Sequence, residues 1–229
     1  MIPSKKEWTD ALIARHGLAL HKRFSSATVA ICGLGGLGSN IAIALARAGI
    51  GKLLLIDFDR VDITNLHRQQ YKANQIGCCK ADALAENLSE IAPYTEITAV
   101  TAKITEENFA DLLKDADIVC EAFDNAESKA MLVNGVLEQM PYCYLVAASG
   151  MAGMDTPNTI KTRKVMKRFY LCGDEVSDVA NIQESLDTRP AHEKVTNQVK
   201  VQIMDKAKTI DLASFDMPAF YEKLCRNGC

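Results

Sequence analysis

Short apolar runs alternate along much of the chain with segments in which apolar residues recur every three or four positions. The runs are rich in aliphatic and β-branched residues and predict buried strands, whereas the spaced segments predict amphipathic helices. The predicted strands are 28–32, 52–56, 97–102, 117–120 and 143–148. The predicted helices are 39–48, 81–91, 110–113 and 126–140. This alternation predicts an α/β, Rossmann-like fold with a mostly parallel sheet flanked by helices.

The two ends of the chain do not follow this alternating pattern. Residues 5–23 predict a helix or a helix pair interrupted at Gly17, whereas 151–168 contains two extended pieces. The polar stretch 173–190 predicts a mobile loop, and four-residue spacing over 195–203 favours a helix. We therefore predict one domain with three parts: an N-terminal helical segment at 1–25, an α/β core at 26–150 and a small C-terminal extension at 151–229.

Composition narrows the classes of function. The 229 residues are 48% hydrophobic and 24% charged, which is typical of a globular protein with a sizeable core. Lys and Arg total 26 against 29 Asp and Glu, and no block of like charge is present, so we expect no nucleic-acid partner. The start MIPSKKEWTD does not resemble a secretory signal, and no apolar run approaches the roughly 20 residues that span a bilayer. We expect a cytoplasmic protein with no membrane partner.

The eight cysteines match neither a disulfide framework nor a zinc site. Several lie in apolar runs such as VAICGLG and DIVCEAF, which indicates small core side chains. Structural zinc prefers Cys-x-x-Cys pairs, whereas Cys78 and Cys79 are adjacent and three residues separate Cys225 from Cys229. We therefore expect no zinc.

A glycine-rich turn joins the first predicted strand to the next helix. Gly33, Gly35, Gly36 and Gly38 form the pattern Gly-x-Gly-Gly-x-Gly, in which backbone amides and the helix dipole attract phosphate. Asp57 stands 19 residues after Gly38 at a strand end, where a carboxylate accepts hydrogen bonds from ribose hydroxyls. Together these features predict a nucleotide site. An NAD-dependent oxidoreductase and a purely structural turn are the other interpretations at this point.

Further motifs follow the glycine turn in the sequence. They are the run IDFDRVDITNLHRQQY, Lys80 after QIGCC, and AFDNAESK at the end of the fourth predicted strand. With the glycine turn they closely resemble the ubiquitin-activating-enzyme-like superfamily that contains ThiF and MoeB. The segments VAASGMAG, IKTRKV and FYLCGD are most similar to the compact ThiF branch, whose members activate a small ubiquitin-like sulfur carrier in thiamine biosynthesis. An NAD-dependent oxidoreductase leaves the Asn-Leu-His-Arg-Gln run unexplained.

The resemblance implies an ATP-dependent adenylyltransferase, in which a carrier's terminal carboxylate attacks the α-phosphate of ATP and releases pyrophosphate. A terminal carboxyl has a pKa of about 3.5, so the nucleophile is already ionised and the enzyme must supply cations. The implied catalytic residues are Arg68, Lys80 and Asp124, with Asp124 also the ligand of Mg²⁺ and with Arg68 and Lys80 outside the core. The implied cofactor-binding residues are Gly33, Gly35, Gly36, Gly38, Asp57, Asp59, Asn65, Arg68, Gln69, Lys80, Asp124 and Asn125.

The resemblance also implies partners: a ThiS-like sulfur carrier, a second copy of the chain in a homodimer, and a sulfur donor such as a cysteine desulfurase. Relatives often carry Arg where this chain has Lys129, which we expect to hold charge near the phosphates. Cys172 is a candidate for a covalent link to the carrier, although Asp174 and Glu175 nearby disfavour a thiolate. The alternatives within the superfamily are an enzyme for another carrier or a tRNA base, such as a threonylcarbamoyladenosine dehydratase, and a non-catalytic partner subunit.

Overall fold

The structure, a computed structural model, describes residues 1–149 and 160–173. The strands of this part are β1 Thr28–Cys32, β2 Lys52–Ile56, β3 Glu96–Val100, β4 Ile118–Glu121, β5 Tyr144–Ala148, β6 Lys161–Met166 and β7 Phe169–Gly173. Its α-helices are α1 Lys5–His16, α2 Leu18–Ser26, α3 Gly38–Arg47, α4 Lys80–Ile91, α5 Phe109–Leu113 and α6 Ala126–Gln139. The predicted strands and helices of the α/β core are confirmed, and their ends differ from the predicted ones by no more than two residues.

The strands form one seven-stranded sheet in the order β3-β2-β1-β4-β5-β7-β6. Neighbouring strands from β3 through to β7 run parallel, and β6 pairs antiparallel with β7. The strand order reverses at β1, which lies between β2 and β4. Ligands of open α/β sheets bind at such a reversal, beyond the carboxyl ends of the strands. The predicted Rossmann-like fold class is confirmed. In this fold we expect a ligand site at the carboxyl end of β1.

Both faces of the sheet are largely buried at its central strands β2, β1, β4 and β5, which explains why these strands are continuous apolar runs in the sequence. Along β1, Val29 and Ile31 belong to one apolar cluster with residues of α3 and α4, whereas Ala30 belongs to a second cluster with residues of α5 and α6. Burying one Leu or Ile side chain contributes about 1.5–3 kcal/mol, so these two clusters supply much of the driving force for folding. They also hold the strand ends in fixed positions.

The remaining predictions are confirmed at the N-terminal helix pair and need small corrections elsewhere. The N-terminal helix pair is interrupted at Gly17 as predicted, with φ at 79°. The third strand begins and ends earlier than predicted, at Glu96 and Val100. Gly173 belongs to β7 rather than to the loop predicted from that residue. The rest of that loop, 174–190, and the helix predicted at 195–203 lie outside the described residues.

No helix in the described ranges is long and apolar enough to cross a membrane. Within the same ranges, no group of three or more His, Cys, Asp or Glu side chains is arranged to hold a metal ion.

Candidate nucleotide-binding site

The glycine-rich turn between β1 and α3 leaves no room for side chains at two positions. Gly33 has φ at 92°, a conformation that L side chains rarely adopt, and a Cβ there would lie 2.8 Å from the Ala122 carbonyl oxygen. A Cβ at Gly38 would lie 1.9 Å from the Gly33 carbonyl oxygen. The turn therefore brings its own backbone into close contact at the N-terminus of α3, where a helix favours bound anions.

The buried carboxylate of Asp57 holds this turn in place through hydrogen bonds. It is 7% exposed, and its two carboxylate oxygens accept hydrogen bonds from Leu34 N at 2.6 Å and Asp59 N at 2.8 Å. The hydroxyl of Tyr71 donates to the Leu34 carbonyl at 2.7 Å. Burial, with Asp57 and Asp59 nearby, raises the pKa of Tyr71, so the phenol stays protonated as a donor. Sequence reasoning missed Tyr71, although it closes the run IDFDRVDITNLHRQQY.

The segment after β2 folds back over the glycine turn and places Arg68 against it. The amide of Asn40, on α3, donates to the carbonyl oxygens of Gly36 at 2.6 Å and Arg68 at 3.1 Å. A Cβ at Gly36 would lie 3.2 Å from Arg68 Nε, so the two residues are in contact. Asn65 ends a short 3₁₀ turn, and its carbonyl accepts from the Arg68 amide at 3.3 Å. The structure thus brings the predicted arginine to the predicted phosphate loop.

Gln69 carries an unsatisfied polar atom beside the same turn. The residue is 6% exposed, and its Oε1 has no hydrogen-bond partner in the described structure. Its Nε2 lies 3.8 Å from the position of a Cβ at Gly35. Leaving a buried acceptor unpaired costs about 1–3 kcal/mol, so Gln69 is positioned to gain from a ligand that donates a hydrogen bond.

Lys80 begins α4 and is paired with Asp59. Its ammonium lies 2.8 Å from Asp59 Oδ2, and its backbone amide donates to the Asp59 carbonyl at 2.9 Å. The Lys80 side chain is only 7% exposed, against 49% for Asp59. The expectation that Lys80 lies outside the core is therefore wrong, because the Asp59 carboxylate lets the ammonium be buried. Arg68, by contrast, is half-buried at the turn.

Asp124 and Asn125 lie in the loop that follows β4. Both are exposed, and the Asn125 side chain accepts from Ser128 N at 2.9 Å, which caps the N-terminus of α6. Because β4 neighbours β1, this loop and the glycine turn share the same end of the sheet: Ala122 N donates to the Cys32 carbonyl at 2.8 Å. The predicted metal ligand thus stands at the rim of the candidate site.

Lys129 forms an ion pair that the sequence did not indicate. Its ammonium lies 3.0 and 3.1 Å from the two carboxylate oxygens of Glu121, a residue with no exposed surface. Glu121 thus pairs with the Lys129 charge, and the expectation that Lys129 holds charge near the phosphates stays a prediction. Burial raises the pKa of the Glu121 carboxyl, although the Lys129 ammonium acts in the opposite direction. Sequence reasoning also missed Glu121.

Cys172, the candidate for a covalent link, is fully buried at the end of β7. Its sulfur lies 3.4 Å from the hydroxyl oxygen of Thr162 on β6. Nucleophilic cysteines are partially exposed in electropositive surroundings, so this placement is that of a core side chain.

Comparison with known proteins decides the family. The model of the ThiF family matches residues 9–204. The chain belongs to the ThiF family. The resemblance read from the glycine turn and from the motifs that follow it is thereby confirmed.

Two kinds of ThiF-family enzyme resemble the chain in sequence. The sulfur carrier protein ThiS adenylyltransferase of Bacillus subtilis is 30% identical over 213 residues, which cover 90% of this chain and 63% of that protein. The tRNA threonylcarbamoyladenosine dehydratase of the same organism is 33% identical over 161 residues, 69% of this chain and 61% of that protein. The chain spans less than two thirds of the length of either relative.

A solved structure has the same fold. The Escherichia coli tRNA N6-threonylcarbamoyladenosine dehydratase in complex with ATP superposes with a TM-score of 0.80 at 23% identity, covering 92% of this chain and all of that one.

Proposed function

We propose that this ThiF-family protein is an ATP-dependent adenylyltransferase that activates the C-terminal carboxylate of a ubiquitin-like, ThiS-like sulfur carrier in thiamine biosynthesis. The observation that carries the proposal is the contact of Arg68 with Gly36. It supports a phosphate site, because it adds a positive charge to a glycine turn at a helix N-terminus, where anions are favoured. The match to a ThiS adenylyltransferase over 90% of the chain supports the carrier as substrate. The complex of a structurally similar protein with ATP supports the nucleotide.

The site residues suit the electrostatics of this reaction. A carboxylate attacking the α-phosphate brings one anion to a polyanion, and negative charge builds up as pyrophosphate leaves. Arg68, at the turn, would contact the phosphates, and Lys80, held by Asp59, would neutralise the reacting centre without having to reorganise. Asp57 and Asp59 would lie on the ribose side, with the unpaired Gln69 oxygen available to a nucleotide donor.

The residues present also fit Mg²⁺. Magnesium prefers hard oxygen ligands and commonly takes one or two carboxylates together with substrate phosphates and waters. Asp124 offers such a carboxylate, exposed at the end of β4 beside the glycine turn. When bound, the ion would shield the charge of the phosphates. Asp124 would hold it, and Asn125 would fix the start of α6 next to it.

A second candidate function is adenylation of a tRNA base. The name of the tRNA threonylcarbamoyladenosine dehydratases points to tRNA as the substrate. The observation in its favour is the 33% identity to the Bacillus subtilis dehydratase, together with the TM-score of 0.80 to the Escherichia coli protein. ATP–pyrophosphate exchange separates the two candidates, because the proposal expects exchange that depends on a carrier protein and the second candidate expects exchange that depends on tRNA.

Substitutions at Asp57 and at Asp124 are expected to change different kinetic constants. Asp57→Ala removes contacts that serve ground and transition states alike, so we expect KM for ATP to rise roughly tenfold or more with a smaller change in kcat. Asp124→Asn should instead lower kcat and should raise KM only when Mg²⁺ is present, so that both constants depend less on Mg²⁺. Steady-state exchange kinetics at several Mg²⁺ concentrations distinguish the two. A swapped pattern would contradict the assignment of the two strand ends.

A further inference from the structure

The carboxyl ends of β4 and β5 are joined by a buried ion pair. Glu121 is the last residue of β4, and its side chain is 1% exposed, whereas Lys129 on α6 is 17% exposed. The Lys129 ammonium binds both Glu121 oxygens and also donates to the Ala148 carbonyl at 3.1 Å, at the end of β5. The pair therefore links two strands and a helix at one point beside the candidate site.

This pair also fixes the loop that carries Asp124. Glu121 Oε1 accepts a hydrogen bond of 2.7 Å from the backbone amide of Phe123, the residue before Asp124. On the other side, Asn125 caps α6 through its 2.9 Å bond from Ser128 N. Lys129, whose amide closes the first turn of α6 on the Asn125 carbonyl at 3.0 Å, connects that helix back to Glu121. Asp124 thus lies between two residues that hydrogen bonds hold in place, Phe123 and Asn125, while its own side chain is exposed.

Stability alone does not account for such a pair. Taking two charges out of water costs several kcal/mol per ion, and apolar residues of similar volume often stabilise a fold as well or better. A buried pair does, however, impose a single geometry on the groups that hydrogen-bond to it, because losing either partner leaves the other charge uncompensated. In this molecule the groups held in that way are the Phe123 amide, the Ala148 carbonyl and the first turn of α6.

We propose that Glu121 and Lys129 are positioning residues that hold the Asp124 carboxylate where it meets the metal ion of a bound nucleotide. This inference rests on the proposed function, which places Mg²⁺ and ATP at the site. Neither residue touches the reacting atoms. Both act through the Asp124 loop, as partners behind a metal ligand do in other proteins.

Binding of ATP with and without Mg²⁺ tests the proposal by titration calorimetry on the whole chain. For Glu121→Gln and Lys129→Met we expect the Mg²⁺-dependent gain in ATP affinity to fall roughly 10- to 100-fold, the range typical of residues that support a metal ligand. Metal-free ATP binding should stay close to that of the wild type. The control is Lys52→Met, which removes the 2.8 Å ion pair between Lys52 and Glu96 at the opposite end of the sheet and should change neither quantity.

A double variant separates positioning from folding. Each single change leaves a buried group without its charged partner and should lower the midpoint of thermal unfolding. The double variant, Glu121→Gln with Lys129→Met, removes both charges and should recover part of that loss in the midpoint. The metal-dependent affinity should stay low in the double variant. In an Asp124→Asn background, adding Glu121→Gln should cause no further loss, because the two residues act as a unit.

Two results would overturn the proposal. A folded double variant with wild-type Mg²⁺ dependence would remove the positioning role while leaving the proposed function intact. A full additional loss in the Asp124→Asn background would show that Glu121 acts elsewhere. If Mg²⁺ does not strengthen ATP binding to the wild type, the metal part of the proposed function fails, and the positioning role fails with it.

Discussion

Replacing Lys80 with alanine is expected to lower ATP–pyrophosphate exchange by about 10²–10³-fold, the loss typical of removing one preorganised group that stabilises transition-state charge. The Lys80 ammonium is held 2.8 Å from Asp59 and is 7% exposed, so little reorganisation is needed when charge develops. Most of the loss should therefore appear in kcat. Arg68→Ala should give a loss of similar size, because Arg68 contacts the glycine turn directly. Exchange rates at saturating ATP and carrier measure both effects.

The control for Lys80 is Lys72→Ala. Lys72 also forms a 2.8 Å ion pair, with Glu90, but its side chain is 42% exposed. Exposed ion pairs contribute little, so this variant should keep its activity and its fold. Because Lys80 is buried, the circular dichroism spectrum of Lys80→Ala must match that of the wild type before its loss is assigned to chemistry. Near-normal exchange in Lys80→Ala and Arg68→Ala would end their proposed roles.

Gly38→Ala is expected to abolish both stable folding and ATP binding. The new Cβ would lie 1.9 Å from the Gly33 carbonyl oxygen and 2.9 Å from its carbon. Gly33 directly follows β1, and its amide donates to the Ile56 carbonyl at 2.9 Å, so its backbone has little freedom to move. A clash of this size falls among the exceptional substitutions that cost more than about 4 kcal/mol. For a chain of this length we expect the thermal midpoint to fall by about 10 °C or more, or the protein to be insoluble. Thermal unfolding followed by circular dichroism measures the change.

Gly36→Ala is the matched control in the same turn. The three atoms nearest to its Cβ would be side-chain atoms of Arg68, at 3.2–3.3 Å, and a side chain can shift by a few tenths of an ångström. The fold should survive, while exchange activity falls because Arg68 is displaced. Equal thermal midpoints for Gly38→Ala and the wild type would contradict the steric account of the turn.

Much of the fold could be predicted from sequence because its signals are local. The continuous apolar runs of β1 and β2 follow from burial on both faces of the sheet. The glycine pattern at 33–38 follows from contacts made within a few residues. The meeting of Arg68 with this turn was expected from the order of motifs in the family, not from spacing.

The features that sequence reasoning missed depend on side-chain contacts between different elements of the fold. Tyr71 supports the turn through the Leu34 carbonyl, 37 residues away in the chain. Glu121 occurs in the apolar run of β4, and nothing in the sequence shows that Lys129 on the next helix faces it. Lys80 looked like a surface residue because lysines are rarely buried without a partner, and its partner, Asp59, lies 21 residues earlier.

The most direct test of the central claim is ATP–pyrophosphate exchange with a ThiS-like carrier that ends in Gly-Gly, compared with the same carrier whose terminal carboxylate is amidated. Amidation removes the nucleophile and leaves the rest of the carrier unchanged. The proposed function predicts exchange that requires ATP, Mg²⁺ and the free carboxylate, and that disappears with the amidated carrier and in Lys80→Ala. Exchange that is absent with the free carrier, that persists with the amidated one, or that requires tRNA instead would contradict activation of a carrier carboxylate.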